Sequence, residues 1–319
     1  MRHKGQSVPR LRAEAGQLRW AMRQYASRSR LRRQWEVIRN LDVPALPKQP
    51  RGQGAIWAVS VVRDERDVLG AVLDHLLSQG IDHVLIADNG SWDGTRELLM
   101  ARAQDDHRIH VVIDRHRAHH QSEKMTYLAH LAWRHGADWI VPFDADEFHF
   151  ARGKRLADCL HETDADVIFA AFHHMVPTTA TALVDPDTTF VLDSHADFPG
   201  KVVARSHPLM EIIPGNHDVT RIGRRIRGLY IGHALYRSPE QVARKFRKGM
   251  ESSAAVGTVP GEHWIRGNAL TDEDIASAWA NLSQGRPEPR LRFAAVGPMI
   301  TVQPLTWPTW DPDEQLPVE

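Results

Sequence analysis

From Gly54 onward, short apolar runs alternate with stretches whose apolar residues recur every three or four positions. The runs at 56–62, 84–87, 109–113 and 139–143 are too short for stable helices and predict buried strands. Between the first two, Leu69, Val72, Leu73 and Leu76 form one helical stripe that stops at Gly80, where a left-handed backbone carries no side-chain penalty. A second helix is expected around 94–103, after the turn cluster Asp88-Asn89-Gly90-Ser91, with Ser91 or Asp93 as its cap. Met125, Leu128, Ala129 and Ala132 give a third stripe. This alternation predicts an α/β fold with a mainly parallel central sheet and helices on its faces. Further strands are expected at 167–172, 189–192, 201–204 and 229–231. A helix should then open at Ser238-Pro239-Glu240-Gln241, with a capping serine, proline in the first turn and glutamine completing a capping box, and continue to Lys248. The last residues, with Pro298, Pro304, Trp307, Pro308, Trp310 and Pro312, lack periodicity and predict an extended tail.

Ahead of this domain the pattern differs. Leu18, Met22 and Tyr25, then Leu31, Trp35 and Ile38, repeat at i, i+4 and i+7, which predicts helices with one apolar side. The other side is cationic: Arg2, Lys4, Arg10, Arg12, Arg19, Arg23, Arg28, Arg30, Arg32, Arg33 and Arg39 face only Glu14 before Glu36. We favour a helix packed on the domain with a solvated charged face over a contact with an anionic membrane, and the second reading stays open. A Pro- and Gly-containing linker at 44–54 follows. The chain therefore divides into a basic helical arm and linker at 1–50, a principal domain at 51–250, and an extension at 251–319.

The balance of 40 Lys+Arg against 40 Asp+Glu over 319 residues gives no argument for nucleic acid as a partner. Cys159 is the single cysteine, which excludes an internal disulfide and a cysteine-held zinc. No run of 18 apolar residues exists, and the arginine-rich start lacks the apolar stretch of a secretory signal, so a cytoplasmic location is expected, with peripheral contact at the inner face of the membrane left open.

Ligands of open α/β sheets bind beyond the carboxyl ends of the strands, and three such ends here are acidic. They are Arg63-Asp64-Glu65, Asp88-Asn89 and Asp144-Ala145-Asp146-Glu147. Turn capping explains Asp93 and extends to Asp64, but three carboxylates within four residues after a buried run require a cation or substrate to offset their repulsion. Mg2+ or Mn2+, held by one or two carboxylates and the phosphates of a substrate, suits Asp144 and Asp146, and such an ion neutralises charge on a departing diphosphate. Among 19 histidines no His-Glu-X-X-His string occurs, and His116, His119, His120 and His173-His174 read as exposed or core-satisfied.

The strings Val61-Val62-Arg63-Asp64-Glu65, Ala87-Asp88-Asn89-Gly90-Ser91-Trp92-Asp93-Gly94-Thr95 and Phe143-Asp144-Ala145-Asp146-Glu147-Phe148 together resemble glycosyltransferase family 2. The resemblance implies the GT-A nucleotide-sugar-binding sandwich, with a nucleotide-sugar half at 51–150 and an acceptor half at 151–250. It implies a metal-dependent transfer of sugar, with inversion, from a donor that is more often a UDP-sugar to a glycan or other hydroxyl acceptor. Glu65 and Asp88 would contact the nucleoside, with Asn89, Asp144 and Lys124 completing the donor set, and Asp144-Ala145-Asp146 would be the Asp-X-Asp metal motif. The family commonly has Asn where Asp64 stands and Asp where Asn89 stands. Gly232-His233-Ala234-Leu235-Tyr236-Arg237-Ser238, with Lys245, resembles a subgroup whose histidine precedes an Arg/Lys-Ser pair, although Ala234 replaces the usual aromatic. His233 is therefore a candidate third metal ligand, and His217 competes with it. Lys201, Arg244 and Lys248 are further candidates for phosphate. For the catalytic base Asp218 is favoured over Asp193, Asp197 and Glu211, because it follows a Pro-Gly loop. A glycoside hydrolase and a non-catalytic nucleotide-sugar binder are the alternatives.

Overall fold

The computed structural model describes residues 7–24, 28–116, 120–255, 262–291 and 297–311; Tyr25, His119 and Pro312 fall outside them. The four expected strands of the first half form as β2 (Ile56–Val62), β3 (His83–Asp88), β4 (Ile109–Asp114) and β5 (Trp139–Pro142), preceded by a short β1 (Leu41–Asp42). In the second half the strands are β6 (Glu147–Ala151), β7 (Val167–Pro177), β8 (Phe190–Asp193), β9 (Asp197–Arg205), β10 (Arg225–His233) and β11 (Met299–Val302). The main sheet runs in the order β1-β4-β3-β2-β5-β9-β7-β10-β6, while β8 joins β7 and β11. Its β4-β3-β2-β5 part is parallel. Beyond β5, antiparallel β9 turns the sheet into a mixed one in which only β7 and β10 run parallel.

The two faces explain the alternation in the sequence. One core joins Ile56, Ala58, Val84 and Ile86 to Leu69, Val72, Leu73 and Leu76 of α3 (Arg66–Ser78). The opposite core joins Trp57, Val59, Leu85 and Ala87 to Met125, Leu128, Ala129 and Ala132 of α5 (Gln121–Arg134). Strands covered on both faces are apolar at nearly every position, as β3 is. Helix α4 (Thr95–Asp105) follows β3. Its N-cap is Gly94, left-handed at φ 95°, and Asp93 accepts from the Thr95 N–H at 3.0 Å instead of capping it. Gly80 ends α3 at φ 87°, and a β-carbon there would stand 2.6 Å from that of Ala157 in α6 (Leu156–Glu162).

Two expectations need correction. The tail is not simply extended: β11 pairs with β8, and Trp310 is fully buried against Phe150, His173 and Tyr230. The arm also packs the opposite way from its apolar stripes. In α1 (Ser7–Gln24) the buried residues are Ala13, Gln17 and Ala21, while Leu18 and Met22 are 55% and 73% exposed. In α2 (Arg28–Asn40), Val37 is buried and Leu31, Trp35 and Ile38 face solvent. Glu14 pairs with Arg221 and His207, and Gln17 bonds Leu209 and Ile222, so polar docking rather than the large apolar side chains seats α1.

Helix α7 (Pro239–Ala255) begins as its sequence predicts, with the Gln241 N–H donating to Ser238 Oγ at 3.2 Å. The side chain of Gln241 instead accepts from the Arg237 N–H, which ties the helix to the end of β10. Helices α8 (Glu262–Asn268) and α9 (Asp272–Ser283) pack beside it, and Phe246, Tyr236, Ile275 and Trp279 share a small third core.

Candidate active site

Because β2, β3 and β5 are parallel neighbours, their carboxyl ends lie side by side and gather the acidic strings at one edge of the sheet. The chain turns after β5 at Asp144-Ala145-Asp146 and re-enters the sheet at once as β6, which begins at Glu147. This strand pairs with β10 so that Glu147 lies opposite His233, and β10 pairs with β7 so that His233 lies opposite His174. One row across three strands thus reads Glu147, His233, His174. The Ala234 N–H donates to the Asp146 carbonyl at 2.9 Å, so this buried position holds the acidic turn through its backbone.

Asp146, Glu147 and His233 each offer a ligand atom within 4.8 Å of the other two. His233 Nε2 stands 3.7 Å from Asp146 Oδ1. Its Nδ1 lies 3.2 Å from His174 Nδ1, and His174 Nε2 lies 3.4 Å from Asp197 Oδ2. Donation from His174 to the carboxylate leaves its other nitrogen to accept from His233, and His233 Nε2 is then a lone pair directed at Asp146. Burial pushes the His233 imidazole down to about 4, so it is neutral and able to ligate. Burial, aided by Asp144 and Asp146, pushes Glu147 up to about 8 against the opposing Lys201. For Asp146 burial acts upward too, but the cations Lys245 and Arg237 beside it hold the carboxyl well below its usual range.

Asp144 stands outside that trio but shares Lys201 with Glu147. Lys201 Nζ reaches its Oδ2 at 2.5 Å and Glu147 Oε1 at 3.1 Å, and Asn216 Nδ2 donates to its Oδ1 at 3.0 Å. Asn216 is fully buried in the left-handed region at φ 56°, a strained conformation held in place by its contacts. Asp64 takes the same φ of 56°, a region that Asn and Asp tolerate better than other non-glycine residues. Across the edge, Arg237 is completely buried and pairs with Glu65 at 2.5 Å, Asp67 at 2.6 Å and Asp146 at 3.7 Å. Lys245 Nζ lies 2.6 Å from Asp146 Oδ2, and Lys248 Nζ 2.9 Å from Asp64 Oδ2. Around the acidic turn, Glu65, Asp67, Asp144, Asp146 and Glu147 therefore set five carboxyl groups, with Glu147 pushed toward its neutral form, against three cations, Lys201, Arg237 and Lys245. The imbalance, together with an oxygen and nitrogen donor set, fits a divalent ion of the Mn2+ or Mg2+ kind.

The remaining expected residues divide. Asp88, buried at the end of β3, pairs with Arg96 at 2.6 Å and accepts from the Ser91 N–H, as a strand-end anchor should. Asn89 and Lys124 both bind Asp114, each at 2.6 Å, and both bind the His116 carbonyl. Lys124 is fully buried in this latch, which lowers its ammonium, so its contacts tie β3, β4 and α5 together. His217 bonds the Gly200 carbonyl through Nδ1 at 2.7 Å and is outside the trio of ligand atoms. Asp218 forms a 2.7 Å ion pair with Arg225, which begins β10, whereas His233 ends it. Glu147 was counted in the acidic run but not assigned as a ligand, and His174 and Asp67 were not singled out from the sequence as site residues; the pairing register brings Glu147 and His174 to His233.

Residues 58–213 match the family described as Glycosyl transferase family 2. This segment is a domain of that glycosyltransferase family. It runs from within β2 past the end of β9 and so includes the acidic turn. No curated protein matches the chain. Among solved structures it is similar to TarS of S. aureus, at 10% identity and a TM-score of 0.37, covering 67% of this chain and 42% of that one. It is also similar to the mannosyltransferase PcManGT of Pyrobaculum calidifontis, solved with GDP-Man and Mn2+, at 15% identity, a TM-score of 0.36 and 86% coverage of each chain. The present chain spans less than half the length of TarS, and overlaps at these scores add nothing to the family assignment.

Proposed function

We propose that this glycosyltransferase is metal-dependent and transfers a sugar, with inversion, from a nucleotide-sugar, of which a UDP-sugar is our first choice, to an acceptor hydroxyl. The observation that carries the reading is the meeting of Asp146, Glu147 and His233 at the carboxyl edge of the sheet. These three would hold the ion, which when bound supplies positive charge to the diphosphate leaving group. Asp144 is kept in place by Lys201 and Asn216 beside it, and Asp88 marks the nucleoside end. For the proton of the acceptor we choose Asp197 over Asp218. Its carboxylate is 46% exposed and bonded to His174, which holds it beside the metal trio, whereas Asp193 accepts from the His195 and Gly297 N–H groups and Asp218 is engaged by Arg225. His174 holds the Asp197 carboxyl below its usual range, which keeps it ionised while lowering its basicity, so the choice rests on its position and exposure. A thermal-shift screen of nucleotide-sugars with and without Mn2+, followed by donor hydrolysis and transfer assays, tests the reading. One donor should raise the melting temperature only with metal. Stabilisation without turnover would favour a nucleotide-sugar binder, and no stabilisation by any donor would count against the reading.

The exposed apolar positions of the arm support a second element, contact with an anionic membrane surface. No helix among the described residues is long and apolar enough to cross a membrane. Leu31, Trp35 and Ile38 nevertheless present one apolar stripe flanked by Arg32, Arg33 and Arg39, the composition of a helix that lies in the interface. The full chain should co-sediment with vesicles rich in phosphatidylglycerol and not with pure phosphatidylcholine, and Leu31→Glu with Trp35→Glu should abolish this. Equal sedimentation with both lipids would remove the contact.

A further inference from the structure

We infer that Lys245 is an exchangeable counter-ion: it holds Asp146 until a divalent cation takes the carboxylate, and then binds the diphosphate that arrives with the cation. The inference rests on the metal-dependent reading above.

Helix α7 places Gln241, Lys245 and Lys248 at i, i+4 and i+7, on one face. All three point to the site side: Gln241 bonds the Arg237 N–H, Lys245 reaches Asp146, and Lys248 reaches Asp64 and the carbonyls of Arg63 and Asp64. The three cations around the acidic turn are not equivalent. Arg237 is fully buried, with three carboxylates and the Ala234 carbonyl around its guanidinium. Lys201 is 5% exposed and shared by Asp144, Glu147 and the Gly215 carbonyl. Both are fixed parts of the frame. Lys245 is 20% exposed, and among the described residues its one close partner is Asp146, 2.6 Å from Oδ2. It hangs from a helix by four methylene groups that can swing without moving the backbone.

Asp146 also belongs to the trio that would take the metal, so ammonium and divalent ion compete for one buried carboxylate. The ion, with twice the charge and two further ligands, prevails. An ammonium displaced inside a largely buried site needs another anion, and the phosphates of the donor are the anion that accompanies Mg2+ or Mn2+ in such sites. Removing Lys245 should therefore have opposite effects on two binding steps: it relieves competition for the metal and deletes a phosphate contact.

Calorimetric titration of Mn2+ alone, and of UDP and GDP at saturating Mn2+, on the full-length parent, Lys245→Met, Lys245→Arg and Asp146→Asn tests this. Lys245→Met should bind Mn2+ alone about tenfold more tightly or better, and the responsive diphosphate about tenfold more weakly, on the scale of one charge at a partly buried pair. Lys245→Arg, which keeps the charge, should stay near the parent in diphosphate affinity. Lys245→Gln replaces the methionine variant if the latter fails to fold. Unchanged or weaker Mn2+ affinity in Lys245→Met overturns the exchange, as does unchanged diphosphate affinity. If Asp146→Asn loses Mn2+ while Lys245→Met moves neither step, only the role of Lys245 falls. If the parent binds no Mn2+, or Asp146→Asn binds it like the parent, the metal reading falls and the exchange with it.

Discussion

The two halves of the sheet treat their polar residues differently. In the parallel half, the residues at the ends of β3 and β4 are bonded to partners nearby in the chain: Asp88 with Arg96, Asn89 and Lys124 each with Asp114, Asp93 with Thr95. In the mixed half, His174, Lys201, His233, Arg237 and Lys245 come from β7, β9, β10, the loop after β10 and α7, and converge on a turn that precedes them by up to about a hundred residues. The first half fixes where the site is. The second half sets its charge and completes its ligand set. Substitutions in the two halves should consequently fail in different ways.

The largest effect is expected at the junction. Asp146→Asn removes a negative ligand from the trio, so turnover should fall by roughly a thousandfold, the upper scale for loss of one electrostatic catalytic group. Steady-state assays at several Mn2+ concentrations would show this, and parent-like turnover would break the comparison at its centre. In the parallel half, Lys124→Met should leave a buried carboxylate at Asp114 with one partner fewer and destabilise the fold by about 3–5 kcal/mol, with little change in donor affinity of the folded fraction. Urea denaturation measures the first quantity. A variant as stable as the parent that has lost donor binding would instead make Lys124 a ligand of the donor. Next in size is the base. Asp197→Asn should slow transfer by roughly a hundredfold with donor affinity intact, while Asp218→Asn stays within about twofold. Reversal of that order in single-turnover transfer would return the role to Asp218.

The smallest effect concerns the core beneath the site. His75 on α3 donates to the His149 carbonyl, and burial holds its imidazole down to about 4. A folded value below the unfolded one means that the unfolded chain takes the proton first. The stability His75 contributes is full above about pH 6.5 and is lost as pH falls from there toward the folded value. Between pH 7 and 5 this amounts to ~2 kcal/mol, and His75→Gln should remove that part of the acid loss in urea titrations. An identical acid loss in the variant would show that other groups carry it.

What could be read from the sequence follows the same division. Strands β2 to β5, helices α3 to α5 and the acidic turn are local patterns, and the apolar runs or turn residues that define them lie within a few positions. Glu147 was legible as a carboxylate but not as a ligand, because the residues after it, Glu147–Ala151, form a strand whose register against β10 has no local signal. His233 carried a signal through Arg237 and Ser238, whereas His174 resembled any other histidine in a buried strand. The tail was missed because Trp310 is buried by aromatic contacts to Phe150, His173 and Tyr230, which leave no periodicity. The arm misled in the opposite sense: its apolar stripe is real, but small residues Ala13 and Ala21 and the amide of Gln17 face the protein.

The central claim is that Asp146, Glu147 and His233 share a divalent ion with the diphosphate of the donor. It is tested most directly by calorimetric titration of a nucleoside diphosphate, UDP first and then GDP, into the full-length protein in Mn2+ and in chelator. At least tenfold tighter binding with Mn2+, abolished in His233→Ala, is the predicted result. Equal affinity in metal and in chelator would contradict it.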